Sequence, residues 1–221
     1  MKEPIFITGI GTDVGKTIAS IIIANALEAD YWKPVQAGVD AGTDSQFVES
    51  MLINAVSIVH PEKYKLGLAA SPHIAAKEEG ILIDLDAIVM HYRQLEGTNT
   101  RVVIEGAGGL LVPLNPEEHI IDLIARLQAK VILVSRNYLG SINHSLLTAA
   151  LCRERKLEVV GWVFNDDFMQ YQHDIVRWSG YPIIGHIPRL AEITRETLGQ
   201  QSLLLKRTLI KLLETDLHDK N

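Results

Sequence analysis

Residues 5–17 read IFITGIGTDVGKT. A short apolar run ends in three glycines, Gly9, Gly11 and Gly15, which lead into Lys16, Thr17 and a helix-like segment. Strand, glycine loop, Gly-Lys-Thr and helix in that order are what a phosphate cradle requires. The glycines free the backbone to curl, its N–H groups turn inward on an anion, and the following helix presents its positive end. Lys16 then reaches the outer phosphates, and the Thr17 hydroxyl ligates Mg²⁺. The common phosphate loop sets four residues between its first glycine and the Gly-Lys pair. Counting from Gly9 gives five here, and counting from Gly11 gives three. Such a loop specifies a nucleotide and no more, because switches, pumps, kinases and ligases all use it.

Outward from this stretch, short runs rich in Ile and Val alternate with longer amphipathic ones. Residues 5–8, 31–35, 101–105, 131–135, 159–165 and 183–187 are apolar throughout and predict strands buried on both faces. Helices are predicted at 16–29, 45–54, 85–95, 120–128 and 142–156, with a last one from Gln201 to about Leu217. Pro61, Gly67 and Pro72 break the pattern over 57–80, where no element is assigned. The alternation predicts an α/β fold with a mainly parallel β-sheet and helices on both faces. No repeat, low-complexity segment or linker interrupts it, so residues 1–221 are expected to form a single domain.

At 221 residues, 47% of them hydrophobic, the chain can bury one full core. Its net charge is −6 and no basic block offers a phosphate-tracking face, so no nucleic-acid partner is expected. The single cysteine, Cys152, excludes an internal disulfide and a multi-thiolate metal site. The chain enters its first strand without a leader pattern, and no stretch nears the roughly 18 apolar residues a membrane span needs. The expectation is a cytoplasmic protein with no membrane partner.

In open sheets of this kind ligands bind beyond the carboxyl ends of the strands, so polar residues just after the apolar runs are the candidates. Glu105 ends 101–105 and precedes Gly106-Ala107-Gly108-Gly109. A carboxylate there can hold Mg²⁺, directly or through water, and the glycines admit the backbone to the phosphates. Lys33 ends 31–35 beside Pro34 and reads either as a solvated surface group or as a second charge on a transferring phosphoryl group. Asp44, opening a helical pattern, is a first-turn acid or a second metal carboxylate. Ser71-Pro72-His73 forms a further polar cluster. The stretch from Gly140 to His144 opens a helix whose free N–H groups suit a carboxylate, unless Ser141 or Asn143 simply caps it. Asn165 carries the donor and acceptor that match the edge of adenine, or else sits in a turn. His60, His91 and His173 show no metal-ligand spacing, and Cys152 reads as a small buried hydrophobe.

GTDVGKT, KPVQAG, the TD of GTDS, SPHIAA, VVIEGAGGLLVPL, LGSINHSLLT, GWVFND and IPRLAE follow one another along the chain. Together, from residue 4 to about 192, they resemble the dethiobiotin synthetase family of P-loop NTPases. The longer phosphate loop is this family's form, and EGAGG with LG-x-INH separates it from partition and nitrogenase-type ATPases. The resemblance implies a homodimer that closes the cyclic urea of dethiobiotin from diaminopelargonate, CO₂ or bicarbonate, and ATP. It implies that Lys16 and Lys33 are catalytic, and that Thr17, Asp44 and Glu105 gather Mg²⁺. Asp13, Val14, Gly15, Lys16, Thr17, Ile18, Asp44, Glu105, Gly106, Ala107 and Gly108 would line the phosphate end of the nucleotide site. Asn165, Asp166, Pro188, Arg189, Leu190 and Glu192 would hold adenine and ribose. Thr12, Lys33 and Ala37 would meet the substrate, with Gly140, Ser141, Ile142 and Asn143 supplied from the partner subunit at the interface. Two positions depart from the family: Ala37 stands where a serine is usual, and Asp13 where glutamate is common.

The competing expectation is a partner-regulated switch ATPase of the partition or nitrogenase-iron-protein type. Such relatives carry an additional lysine near the start of the loop, where Gly11 stands here. A glutamine-dependent ligase of the cobyrinic acid type would need a glutaminase domain with a reactive cysteine, for which neither length nor Cys152 provides. A nucleotide sensor without enzymatic activity is a further reading.

Overall fold

The computed structural model of the chain describes residues 3–40, 42–95 and 101–215. In chain order its first elements are β1 (Ile5–Gly9), α1 (Lys16–Leu27), β2 (Asp30–Trp32), β3 (Val35–Ala37), α2 (Asp44–Met51), β4 (Val59–His60) and β5 (Tyr64–Leu66). Then come α3 (Pro72–Glu78), α4 (Leu85–Gln94), β6 (Val102–Gly109), α5 (Ile120–Leu127), β7 (Lys130–Arg136) and α6 (Ser141–Glu154). The last are β8 (Val159–Asn165), α7 (Gln172–Ser179), β9 (Ile183–Ile187) and α8 (Arg195–Thr215). Seven strands make one sheet, ordered β4-β2-β6-β1-β7-β8-β9, and every neighbouring pair is parallel. β1 is the central strand, so its glycine loop opens at the middle of the carboxyl edge, where the strand order reverses between the two halves of the sheet.

The strands are apolar throughout because both faces are covered. Ile5 and Ile7 of β1 join a core cluster with α1, α2 and α8, and Phe6 joins the opposite cluster with α4, α5, α6 and α7. The same alternation runs across the sheet. Val131 and Leu133 share the cluster of Phe6, while Ile132 and Val134 share that of Ile5. Val103 and Tyr31 face the α1 side and are register partners, as are Trp32 and Ile104 on the other side. One step further along both strands lie Lys33 and Glu105. With a side-chain period of two, both must point to the α1 face, next to each other.

Two local irregularities serve this edge. Between β1 and β6 the register pairs Ile7 with Glu105 and next Gly9 with Gly109, two steps on one strand against four on the other. The surplus residues buckle, and Gly106 fits only as glycine: a Cβ there would lie 2.6 Å from Phe6 Cε1. The strand expected over 31–35 is in fact two. Pro34 has no N–H to continue the ladder, and its carbonyl instead accepts from the N–H groups of Lys63 and Tyr64 at 3.0 and 2.9 Å. β3 and β5 thereby start a separate two-stranded parallel ribbon.

Other boundaries differ for identifiable reasons. The segment 57–80 carries β4, β5 and α3, because Pro72, read as a breaker, occupies the first turn of α3, where a proline is at home. α2 starts at Asp44 because Thr43 takes the cap and forms a capping box with Gln46. The final helix starts at Arg195, six residues before Gln201, and its expected end at Leu217 lies outside the described residues. α7, which had no counterpart in the sequence reading, is a short helix stopped by Gly180 in the left-handed conformation. Among the described residues no helix is long and apolar enough to cross a membrane.

Phe6 links the central strand to the bulge at Gly106 and is fully buried. Phe6→Ala is expected to lower the free energy of unfolding by about 3–5 kcal/mol. Urea denaturation followed by tryptophan fluorescence checks this, and a loss below about 1 kcal/mol would contradict the packing described.

Candidate active site

Lys33 directly follows β2, Glu105 lies on β6, and Thr17 stands in the first turn of α1, so three elements converge above the carboxyl edge. Thr17 Oγ1 lies 2.8 Å from Glu105 Oε1 and 3.3 Å from Asp44 Oδ1. The Lys33 ammonium forms a salt bridge and hydrogen bond with Asp44, and its Nζ is 3.6 Å from Glu105 Oε1. Asp44 reaches the group from α2, while its backbone N–H donates to Gln36 Oε1 at 3.3 Å. The second oxygen of Glu105 accepts from the Tyr31 hydroxyl at 2.9 Å, inside the sheet face. One threonine hydroxyl and two carboxylates are hard oxygen donors. Among the described residues no three His, Cys, Asp or Glu side chains form a cage. That donor set fits Mg²⁺, which keeps several waters and takes its remaining ligands from phosphate.

The loop before α1 wraps the other side. Lys16 Nζ folds back to donate to the Gly11 carbonyl at 2.9 Å. Gly15, the residue before the helix, has φ of +90°, which a side chain disfavours. A Cβ at Gly15 would also lie 2.0 Å from Asn165 Nδ2, so the loop closes on β8 only because position 15 is bare. Asn165 Nδ2 donates to the Val14 carbonyl at 3.2 Å and pins the loop there.

Charge in this cluster is strongly perturbed. Burial pushes Lys16 below its ordinary pKa, with Glu105 opposing the shift and the Lys33 ammonium adding to it. Burial also acts to lower Lys33, but the charges of Glu105 and Asp44, with their hydrogen bonds, outweigh it and hold Lys33 above its ordinary value. Lys33 is therefore a fixed cation at neutral pH and not a general base. Burial, followed by the negative charge of Glu105, pushes the Tyr31 phenol well above its ordinary range, which keeps it a donor.

These groups line a cleft of about 750 Å³. Of the residues expected from the sequence, Thr12, Asp13, Gly15, Lys16, Thr17, Ile18, Lys33, Ala37, Asp44, Glu105, Ala107 and Gly108 all border it. Ala69, Ala70, Ser71 and Pro72 close its far wall, so the polar cluster at Ser71 belongs to it. A second cavity of about 220 Å³ shares Asp13, Gly15 and Ile18 with the cleft and adds Asn165, Asp166, Pro188, Arg189 and Leu190. The two cavities meet at the glycine loop, the larger on its Lys16 side and the smaller, which we call the base-end cavity, on its Asn165 side.

Some expected residues lie elsewhere. Val14 is buried in the core and contributes its carbonyl. Gly106 packs on Phe6, and Glu192, exposed, borders neither cavity. The segment Gly140, Ser141, Ile142 and Asn143 opens α6 beyond β7 and does not reach the cleft of its own chain. Ser141 is buried, its hydroxyl 2.7 Å from the Tyr171 hydroxyl, and Gly140 takes the cap position, so neither Ser141 nor Asn143 caps by its side chain.

Sequence reasoning missed Tyr31 and Arg136. Tyr31 reads as strand filler, although its spacing of two from Lys33 puts both on one face. Arg136 ends β7, is the register partner of Asn165, and lines the base-end cavity with its guanidinium 3.2 Å from Asp166.

Residues 3–197 match a protein-family model described as an AAA domain. An ATP-dependent dethiobiotin synthetase BioD from Cytophaga hutchinsonii is 49% identical over 202 residues, covering 90% of this chain and 95% of the relative. The protein of the same name from Rhodopseudomonas palustris strain HaA2 is 41% identical over 199 residues, with coverage of 90% and 91%. Among solved structures, the ParA family ATPase from Chlorobium tepidum is similar at a TM-score of 0.61 and 14% identity, covering 96% of this chain and 99% of the other. The septum site-determining protein MinD from Pyrococcus horikoshii, solved with Mg-ADP, gives a TM-score of 0.59 at 14% identity, covering 97% and 96%. At such identities these two structures speak for the fold alone.

Gly15 and Gly11 differ in a way that substitution reads out. Gly15→Ala forces a side chain into a left-handed backbone against Asn165 and is expected to cost about 1–2 kcal/mol of stability and to weaken nucleotide binding. Gly11→Ala points into open space and is expected to leave stability within about 0.5 kcal/mol. Thermal melts and nucleotide titration of both variants check the pair, and equal behaviour would contradict the loop geometry.

Proposed function

The chain belongs to the ATP-dependent dethiobiotin synthetase family, and we propose on that premise that it closes the cyclic urea ring of dethiobiotin, a step of biotin biosynthesis. One amine of diaminopelargonate adds to CO₂ and becomes a carbamate. A carbamate oxygen then displaces ADP from the γ-phosphorus of ATP. The second amine attacks the carbonyl carbon of the resulting mixed anhydride, the phosphate departs with the C–O bonding pair, and the ring is complete. A carbamate is a poor electrophile, and phosphorylation gives it a leaving group. The protein's task is to position reactants and offset charge.

The observation that carries this reading is the Lys33 ammonium standing between Asp44 and Glu105 at the mouth of the Lys16 loop, in one cleft. Lys16 holds the β- and γ-phosphates. Lys33, kept cationic, faces the carbamate and the transferring phosphoryl group, where negative charge concentrates. Thr17, Asp44 and Glu105 would hold Mg²⁺, which when bound neutralises phosphate charge. Asn165, Asp166, Pro188, Arg189, Leu190 and Glu192 would receive adenine and ribose. Thr12 and Ala37 border the diamine.

A homodimer completes the site. The Gly140–Asn143 segment of a second copy would bring the N–H groups of α6 to the substrate carboxylate. Two features support this: the segment stays out of its own cleft, and apolar side chains stand bare beside it, Leu139 at 96% exposure and Leu147 at 61%. We place the enzyme in the cytoplasm by analogy with its family.

With ATP, Mg²⁺, bicarbonate and diaminopelargonate supplied, ADP release is expected to require both the diamine and bicarbonate. Lys16→Ala should lose nucleotide binding, whereas Lys33→Ala should keep it and lose turnover by at least about 10²-fold. Release indifferent to the diamine would instead favour a switch ATPase. Leu147→Asp is expected to yield monomers by sedimentation that bind ATP but turn over poorly, and a variant that stays dimeric would count against that interface.

A further inference from the structure

Tyr31 has no place in the reaction described above, yet it makes a buried polar contact with the centre of the site. Its side chain is fully buried, and its hydroxyl donates to Glu105 Oε2 at 2.9 Å across 74 residues of sequence. Glu105 is itself about 1% exposed. Its two oxygens are thereby divided. Oε2 is occupied on the inner side by the phenol, and Oε1 turns outward to Thr17 at 2.8 Å and Lys33 at 3.6 Å. The strand register fixes this division. Tyr31 pairs with Val103 two residues before Lys33 and Glu105, so the phenol approaches the carboxylate from behind along the same face.

A carboxylate held this way offers a cation one oxygen. Mg²⁺ uses single carboxylate oxygens in a tight octahedron, whereas Ca²⁺ takes more ligands at longer range and readily chelates both oxygens of one carboxylate. We propose that Tyr31 is a positioning residue that sets divalent-cation choice by restricting Glu105 to a single outward oxygen. The proposal rests on the reading of Thr17, Asp44 and Glu105 as the Mg²⁺ site. Removing the phenol oxygen frees Oε2, allows the carboxylate to rotate, and admits two-oxygen chelation.

Tyr31→Phe keeps the ring and removes only the donor, and Val103→Ala, at the register partner of Tyr31 on the same face, loosens the packing and keeps the donor. The measurement is the Mg²⁺ and Ca²⁺ dependence of ADP binding by isothermal titration calorimetry, with melting curves recorded for each variant without metal. In the unaltered protein Mg²⁺ should support ADP binding better than Ca²⁺. In Tyr31→Phe the Mg²⁺-to-Ca²⁺ preference should fall about tenfold or more, the scale of losing a hydrogen-bond partner of a metal ligand. Val103→Ala should retain most of the preference even if it melts lower, which a purely structural role of Tyr31 would not produce. An unchanged preference in Tyr31→Phe, or an equal fall in both variants, overturns the proposal. ADP binding indifferent to both cations in the unaltered protein would overturn the metal site itself, and this inference with it.

Discussion

Lys33 and Glu105 sit side by side because two parallel strands pair in one register and each side chain stands two residues beyond a buried partner. The remaining geometry depends on that adjacency. A cation and an anion both largely withdrawn from water are tolerable only in contact, because each offsets the desolvation of the other. Asp44 and Thr17 then arrive from two helices onto a position the sheet has already fixed. A one-residue slip of β2 against β6 would send Lys33 to the opposite core face, toward Phe6 and Ile104 and away from Asp44 and Glu105.

The glycine loop, the strand-helix alternation and the acidic strand end were legible because each is encoded within a few residues. Lys16, Thr17 and Glu105 lie where local sequence implies. Lys33 was legible as a position, but its meaning needed its neighbours. Tyr31 was not legible, since its one polar atom finds a partner 74 residues away and its ring counts as strand filler. α3 escaped for another reason: it is only seven residues long, and its proline reads both as a stop and as a start. The split of 31–35 into two strands turns on the carbonyl of Pro34 accepting from Lys63 and Tyr64, a pairing that sequence spacing does not reveal.

Fold and chemistry carry separate information here. ParA- and MinD-like structures share the architecture at 14% identity, and the same sheet could serve a switch. The carboxyl edge of this chain carries a lysine held above its ordinary pKa by two carboxylates, a wall formed by Ala69 to Pro72, and a cleft of about 750 Å³ at the glycine loop. Those are features of a site that joins two reactants.

The break at Pro34 has a consequence for how this site can change over generations. The floor of the cleft, with Glu105 and the end of β2, belongs to the large sheet, while Gln36 and Ala37 belong to the small ribbon with β5. The two rest on separate foundations joined by a rigid proline. Ala37, unlike Gln36, which accepts from the Asp44 N–H, can therefore change and reshape the cleft without disturbing Asp44.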